Sequence, residues 1–274
     1  MLEIKNITKK FGALTAVNNL SFNVRKGDVF GIAGPNGAGK STLYNLITGL
    51  YPFEGSIRFN GQELRGMPPH RIAKLGIART FQIPQTFPSL TVEAGVGIGN
   101  CFGSQDGFDS SYVDQILKFV NLDRKRNQKT GQLNLLDKKM LMIGAALATK
   151  PKILMLDEPM AGSNSREIIS LMDLIKRINQ DMGIAIIIIE HFMKVLTELT
   201  RKLLIIQTGT EICCGDPVEV TNNPKVIECY LGSTKDGEKD SENATGEHRN
   251  SESHAGKNAA EKNLAGLNNA GGKP

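Results

Sequence analysis

The chain has 274 residues, of which 40% are hydrophobic, and its formal net charge is +5 at pH 7. This size and apolar fraction are enough for one large domain with a sizeable core. The small positive charge suits a nucleotide pocket or a surface near anionic lipid, but it is too small to predict nucleic acid as a partner. The longest apolar run, Ile184–Ile189, is far shorter than the roughly 20 residues of a membrane span, so we expect a membrane role only through partner proteins.

The composition changes after Gly232. Residues 1–232 contain the apolar patterns of a folded domain, whereas residues 233–274 are rich in Ser, Asn, Gly, Lys and Glu. A segment of that kind buries too little apolar surface to offset the entropy that ordering costs. We therefore predict a folded domain over 1–232 and a disordered tail over 233–274.

Strands and helices alternate along the first part of the chain. The apolar alternation over residues 20–24 predicts a half-buried strand, and the apolar run 29–33 predicts a strand that leads into a glycine-rich turn. Apolar residues at helical spacing over 43–50 predict the helix that follows. A strand predicted at 56–59 is followed by Asn60-Gly61, which is a tight-turn signal.

The second part has the same alternation after a helical interval. Residues from about 84 to 150 have no such strand patterns, so we predict a helical subdomain there. The continuous apolar runs 153–156 and 184–189 are typical of central parallel strands that are covered on both faces, and a helix over 168–178 separates them. This order of elements predicts an α/β fold.

One glycine-rich segment fits the phosphate-binding pattern GxxxxGK[ST] in full, between a predicted strand and a predicted helix. This phosphate loop consists of Gly34, Pro35, Asn36, Gly37, Ala38, Gly39, Lys40, Ser41 and Thr42. Its glycines let backbone N–H groups turn toward an anion, and the helix N-terminus adds partial positive charge. Lys40 can bind the β- and γ-phosphates of ATP, and Ser41 can offer a hydroxyl ligand to Mg²⁺. We therefore predict ATP and Mg²⁺ as ligands.

Two carboxylates follow the apolar run 153–156. Asp157 and Glu158 are expected at the carboxyl edge of the sheet, where ligand sites of α/β folds lie. Asp157 can hold Mg²⁺, directly or through water, and Glu158 can orient or deprotonate the water that attacks the γ-phosphate. General-base catalysis of this kind contributes about 10² to 10⁴ in rate. Two solvated acids at a strand end are the alternative, which the nearby phosphate loop disfavours.

The segments GPNGAGKST and ILMLDEP together resemble the ABC ATPase family, and the resemblance extends over nearly all of residues 1–232. It implies an α/β P-loop NTPase fold with an ABC ATPase core, in which a mainly parallel sheet is joined by an antiparallel β part and a helical subdomain. It also implies hydrolysis of ATP by two such domains that close head to tail.

The resemblance assigns roles to further residues. Phe11 takes the place of an aromatic that stacks on adenine, which is worth roughly 1–3 kcal/mol, although a core phenylalanine is the alternative. Gln82 takes the place of a glutamine that touches Mg²⁺ and the attacking water. Residues 161–164, the dimer loop, correspond to a loop that crosses the dimer interface. His191 takes the place of a histidine that contacts the γ-phosphate.

A narrower resemblance is to the ATP-binding subunits of branched-chain amino acid importers. It is carried by GIARTFQ at 76–82, FPSLTV at 87–92, IEH at 189–191 and VIECYLG at 226–232. It implies a peripheral protein on the cytoplasmic face of the membrane, with two transmembrane permease subunits and a second ATP-binding subunit as partners. The dimer is a homodimer or a heterodimer, and an extracytoplasmic solute-binding protein takes part indirectly. Because related systems carry urea or short amides, the solute stays open.

The sequence departs from the family at the signature, usually LSGGQ-like, which grips the γ-phosphate bound by the other subunit. The signature segment here, residues 133–137, reads LNLLD, so leucines replace both glycines. Their side chains limit how closely backbone N–H groups approach a phosphate, and Asp137 adds repulsion. Asn134 keeps an amide donor, and we expect Lys138 and Lys139 to offset part of the negative charge.

We therefore hypothesise that the site formed by this chain's signature segment and a partner's phosphate loop is weakened. The site formed by this chain's phosphate loop and the partner's signature stays active. A variant signature that works normally and an ATP-binding subunit with impaired turnover are alternatives, although Glu158 and His191 speak against the latter. Soluble ABC ATPases of DNA repair, chromosome structure or translation are the rival class. The absence of heptad runs, CxxC pairs and a second motif set in this sequence disfavours them.

Overall fold

The computed structural model describes residues 1–103 and 107–234, so the predicted tail lies almost wholly outside the described residues. The strands are β1 (Leu2–Phe11), β2 (Leu14–Val24), β3 (Val29–Ala33), β4 (Glu54–Phe59), β5 (Gln62–Glu63), β6 (Ile77–Arg79), β7 (Ile153–Asp157), β8 (Ala185–Ile189), β9 (Lys202–Gln207) and β10 (Thr210–Gly215). The helices are α1 (Lys40–Ile47), α2 (Pro69–Leu75), α3 (Val92–Gly103), α4 (Ser110–Phe119), α5 (Leu135–Ala148), α6 (Ser165–Met182), α7 (Met193–Leu199), α8 (Pro217–Thr221) and α9 (Pro224–Thr234).

Two β-sheets form in the described part of the chain. The larger has six strands in the order β10-β9-β3-β8-β7-β6, and all its neighbouring pairs are parallel except β10 with β9. The smaller has four antiparallel strands in the order β2-β1-β4-β5. The predicted combination of a mainly parallel sheet and an antiparallel β part is therefore confirmed.

The central strands of the larger sheet are buried on both faces, which explains their continuous apolar sequence. Successive side chains of a strand point to opposite faces. One hydrophobic cluster accordingly contains Leu154, Leu156, Ile186 and Ile188. The cluster on the other face contains Ile153, Met155, Ile187 and Ile189.

Three α-helices and no strand form in the described part of the interval between β6 and β7. α3, α4 and α5 share one apolar cluster, to which Val96, Ile116 and Ile143 contribute. The limits of a subdomain at about 84 and 150 stay a prediction. No helix in the described residues is long and apolar enough to cross a membrane.

Three loops meet at one edge of the larger sheet. β8 lies between β3 and β7, and all three strands run parallel, so their carboxyl ends share that edge. β3 leads into the phosphate loop, β7 ends at Asp157 and precedes Glu158, and β8 precedes Glu190 and His191. The topology therefore brings the candidate phosphate-binding and acidic residues together.

Candidate functional site

A cleft of about 1000 Å³ lies at this edge of the sheet. Its lining includes the whole phosphate loop together with Phe11, Gln82, Glu158 and His191. Asp157 is the one predicted site residue outside this lining, and it is buried. Residues that the sequence places far apart therefore share one cleft.

The shape of the phosphate loop depends on its glycines. At Gly34, an added Cβ would lie 2.0 Å from the carbonyl oxygen of Ile206. At Gly39, where φ is +101°, it would lie 2.2 Å from the carbonyl oxygen of Ala16. Only glycine fits at these two points, because both the close approach and the positive φ exclude a side chain. α1 begins at the next residue, Lys40, so its N-terminal amides open onto the cleft.

Lys40 is held inside the loop. Its ammonium donates to the carbonyl oxygens of Gly34 (2.7 Å) and Pro35 (3.0 Å), and the residue is only 7% exposed. Burial lowers the pKa of Lys40, whereas the charges of Glu158 and Asp157 raise it. The ammonium is thus bonded to two carbonyl groups of the phosphate loop and is within electrostatic range of two acids.

Glu158 occupies a strained backbone position beside two other predicted site residues. Its φ is +45°, a region that costs a non-glycine residue about 1–3 kcal/mol. Its amide donates to the carbonyl of Ile189 over 2.9 Å. Its Oε2 accepts a 2.6 Å hydrogen bond from Nε2 of Gln82 and lies 4.0 Å from Nδ1 of His191. The other two predicted catalytic side chains, Gln82 and His191, therefore approach one carboxylate oxygen of Glu158.

Asp157 lies behind the cleft in an ion pair that the sequence analysis missed. Its Oδ2 accepts a 2.8 Å hydrogen bond from Nη2 of Arg79, and both side chains are less than one tenth exposed. Nη1 of Arg79 also donates to Oδ1 of Asn45 over 2.6 Å. The signal was a lone arginine in the short apolar strand β6, where a buried cation needs a partner.

The predicted metal ligands fit a hard cation by their donor type. Ser41, Gln82 and Asp157 each offer oxygen, which Mg²⁺ prefers. The amide nitrogen of Gln82 is bonded to Glu158, which leaves its amide oxygen for a cation. The described residues contain no group of three or more His, Cys, Asp or Glu that can hold a metal alone. The set therefore suits a cation that takes its other ligands from phosphate and water.

Phe11 is not a core residue. It is 42% exposed, and its ring meets that of Tyr51 edge to face with centroids 5.3 Å apart. The ammonium of Lys9 lies 4.8 Å from the Phe11 centroid. An accessible aromatic face at the margin of the cleft is what stacking on a base requires.

Tyr230 reaches the same cleft from α9 and was not predicted as a site residue. Burial raises the pKa of the Tyr230 hydroxyl to about 12, and the nearby Gly34 backbone opposes the rise. α9 thus contributes to the same cleft as Gly34, the first residue of the phosphate loop. Nothing in the sequence spacing indicates this placement, because it depends on how α9 packs.

The signature segment lies at the start of α5. Asn134 is the N-cap, and its Oδ1 accepts a 2.8 Å hydrogen bond from the amide of Asp137. The Asp137 carboxylate forms an ion pair with Lys125. Leu135, the first residue of the helix, is 43% exposed. The charge at Asp137 therefore has a partner, whereas the Leu135 side chain is open to solvent at the start of α5.

Lys139 corrects one expectation about this segment. It was expected to offset Asp137, but it is buried and donates to the carbonyl of Ala161 and to Oγ of Ser163 (2.7 Å). Because Lys139 lies two residues beyond Asp137 on a helix of 3.6 residues per turn, it faces another side. Its hydrogen bonds tie α5 to the dimer loop instead.

Comparison with known proteins gives two family matches. Residues 17–161 match the family described as ABC transporter, and residues 211–236 match that described as branched-chain amino acid ATP-binding cassette transporter. The chain is 35% identical over 249 residues to the high-affinity branched-chain amino acid transport ATP-binding protein BraF of Pseudomonas aeruginosa. That alignment covers 85% of this chain and 98% of BraF.

Solved structures agree with these matches. An ATP-binding cassette of an ABC transporter in its ADP conformation has a TM-score of 0.77 at 32% identity, covering 85% of this chain and 98% of that one. A dimeric ATP-binding cassette in a post-hydrolysis state, bound to ADP and Pi, has a TM-score of 0.71 at 25% identity. That comparison covers 79% of this chain and 99% of the other.

Proposed function

The chain belongs to the ABC transporter family, and from this premise we propose that it is the ATP-hydrolysing subunit of an importer for branched-chain amino acids or a similar small polar solute. The meeting of the phosphate loop, Gln82 and Glu158 in one cleft is the observation that carries the enzymatic part. The match at residues 211–236 supports the importer part, because it covers a segment beyond the general family match.

The two ends of the cleft, at the phosphate loop and at Phe11, bind the two parts of ATP. The triphosphate lies against the amides of the phosphate loop and the N-terminus of α1, and Lys40 binds the β- and γ-phosphates. Adenine stacks on the half-exposed ring of Phe11. Mg²⁺, held by Ser41, Gln82 and Asp157, would neutralise charge on the phosphates.

Hydrolysis follows from the arrangement around Glu158. A water between Glu158 and the γ-phosphate gives its proton to Oε2 while its oxygen attacks phosphorus in line with the leaving oxygen of ADP. Gln82 keeps that carboxylate oriented by its 2.6 Å hydrogen bond. His191 and Lys40 stabilise the negative charge that develops on the γ-phosphate oxygens.

A second ATP-binding subunit completes each site in this proposal. The dimer loop and the signature segment face the partner's nucleotide, as the similarity to a dimeric cassette supports. The exposed side chain of Leu135 narrows the approach of that nucleotide to the amides at the start of α5. The half-site completed by this chain's signature segment is therefore the weaker of the two. Steric obstruction by Leu135 causes the weakness, because the charge of Asp137 is paired with Lys125.

An apolar groove supports docking on transmembrane permease subunits from the cytoplasmic side. The groove, about 290 Å³ in volume, is lined by Leu50, Ile72 and Phe81 among others. Ile83 and Phe87 follow with 70% and 61% of their surface exposed. Exposed apolar clusters of this kind mark interaction surfaces. Gln82, which lies between Phe81 and Ile83, links this surface to Glu158 through its hydrogen bond.

Uptake in proteoliposomes tests the proposal. The chain is reconstituted with its permease subunits, the second ATP-binding subunit and the solute-binding protein, and ATP-dependent uptake of labelled leucine is measured with unlabelled valine and urea as competitors. We expect uptake that valine suppresses and that Lys40→Ala abolishes. ATP hydrolysis without uptake of leucine, valine or urea would favour a non-transport ABC ATPase instead.

A further inference from the structure

Glu190 is a carboxylate that the hydrolytic steps above do not use, although it lies among the groups that do. It follows β8 directly and precedes His191. Its exposure is 0%, which is rare for an acid unless hydrogen bonds compensate its burial. A buried acid at this place therefore needs a structural reason.

Its two oxygens accept hydrogen bonds from a neighbouring turn and from the next residue of its own loop. Oε1 accepts a 2.7 Å hydrogen bond from the amide of Met160, and Oε2 accepts a 3.3 Å hydrogen bond from the amide of His191. Met160 belongs to the turn that begins at Glu158. The carbonyl oxygen of Glu158 accepts a 3.1 Å hydrogen bond from the amide of Ala161 and closes this turn. One carboxylate thus joins the turn that carries the general base to the loop that carries the histidine.

The same turn is held from its other side by Lys139. That buried ammonium donates to the carbonyl of Ala161, the residue after Met160. Burial raises the pKa of Glu190 to about 7, Glu158 adds to the rise, and Lys139 opposes it. The turn is therefore held between the buried Glu190 carboxyl group, which follows β8, and the buried Lys139 ammonium on α5.

We propose that Glu190 is a positioning residue, which sets the separation of Glu158 and His191 by binding the amides of Met160 and His191 together. The turn needs such an anchor because Glu158 has a φ of +45°, a conformation that persists only where surrounding contacts impose it. Lys139 transmits the position of α5, and hence of the signature segment, to the same turn. The catalytic part of this inference rests on the proposed function.

The chemistry of the site distinguishes glutamate from its amide. Both partners of Glu190 are N–H donors, so a carboxylate satisfies both, whereas a glutamine satisfies one and sets its own NH₂ against the other. Glu190→Gln should therefore keep one anchor, and Glu190→Ala should lose both. An intermediate effect in the glutamine variant is the expected mark of positioning.

Two readouts test this role. We expect kcat for ATP hydrolysis to fall at least tenfold in Glu190→Ala and by less in Glu190→Gln, while the Kd for ATP changes less than about twofold. Amide hydrogen exchange at Met160 should accelerate in Glu190→Ala without a change at Ile187 in the centre of β8. Thr200→Val, which removes one buried hydrogen bond at the end of α7, is the matched control and should keep kcat.

The outcomes separate this inference from the proposed function. A kcat for Glu190→Ala within twofold of Thr200→Val, or unchanged exchange at Met160, would overturn the positioning role. If Glu190→Ala does not fold, the comparison of Glu190→Gln with Thr200→Val decides, and equal kcat values would overturn the role. A wild-type chain that hydrolyses no ATP contradicts the proposed function. Amide exchange at Met160 then still tests whether Glu190 anchors the turn.

Discussion

The amide nitrogen of Gln82 lies 2.6 Å from Oε2 of Glu158, although the two residues are 76 positions apart in the chain. Gln82 stands next to Phe81 and Ile83, which expose about half or more of their surface. In the proposed function, a partner that displaces this exposed segment would act directly on Glu158, the proposed general base. The Gln82–Glu158 hydrogen bond is therefore the contact through which the proposal couples docking to hydrolysis.

Loss of that hydrogen bond should slow hydrolysis without weakening nucleotide binding. Gln82→Ala leaves Glu158 in the cleft but removes its orienting donor, so we expect kcat to fall about tenfold or more. The Kd for ATP should stay within about twofold, because the phosphate loop is untouched. Gln85→Ala, an exposed glutamine of the same segment, is the control. Equal kcat values for Gln82→Ala and Gln85→Ala would contradict a role of Gln82 in hydrolysis.

Arg79 should be the more important of two arginines for stability. Arg79→Met leaves Asp157 buried without its cation, which costs about 3–5 kcal/mol. Arg58→Met breaks a solvent-exposed pair with Glu63 and should cost less than about 1 kcal/mol. Urea denaturation compares the two. The double variant Arg79→Met/Asp157→Asn should recover part of the loss, and no recovery would mean that the ion pair is not its cause.

Stability should fall with rising pH because of Glu190. Its pKa rises from 4.5 to about 7 on folding, so between these values the folded chain binds more protons than the unfolded chain. The contribution is fully present below pH 4.5 and is lost as pH rises through 7, and by linkage it amounts to roughly 3 kcal/mol. Relative to wild type, Glu190→Gln should therefore become more favourable from pH 5 to pH 8. A pH-independent difference in unfolding free energy would contradict this.

The start of α5 should respond to removal of a leucine side chain. In a complex where this chain carries Glu158→Gln, only the partner's phosphate loop is active, and Leu135→Gly should raise its turnover. The glycine costs at most about 1 kcal/mol of helix stability. Val218→Gly, an exposed residue in the first turn of α8, is the control. Turnover that is unchanged, or equal in both variants, would contradict steric obstruction at the half-site.

The sequence predicted those parts of the molecule that depend on local pattern. The runs at 153–156 and 184–189 became central strands, because only strands covered on both faces stay apolar throughout. The phosphate loop was predictable because its motif fixes its own backbone. The antiparallel sheet was implied only by family resemblance, since its register depends on pairing distant segments.

Side-chain partners across elements were not predictable. The pair of Arg79 with Asp157 and the anchoring of Met160 by Glu190 join segments that are distant in sequence. The sequence indicated Lys139 only as a charge that offsets part of Asp137, because its bonds to the dimer loop depend on how α5 packs. Such contacts depend on tertiary geometry, which spacing along the chain does not contain.

The most direct test of the central claim is Mg²⁺-dependent ATP hydrolysis by the purified chain, alone and in its membrane complex, beside Glu158→Gln. We predict that the rate of ATP hydrolysis at this chain's site falls at least a hundredfold in Glu158→Gln relative to wild type, while ATP binding is retained. Glu198→Gln, an exposed glutamate paired with Lys176, should hydrolyse ATP at the wild-type rate. Turnover at this chain's site that persists in Glu158→Gln would contradict Glu158 as the general base.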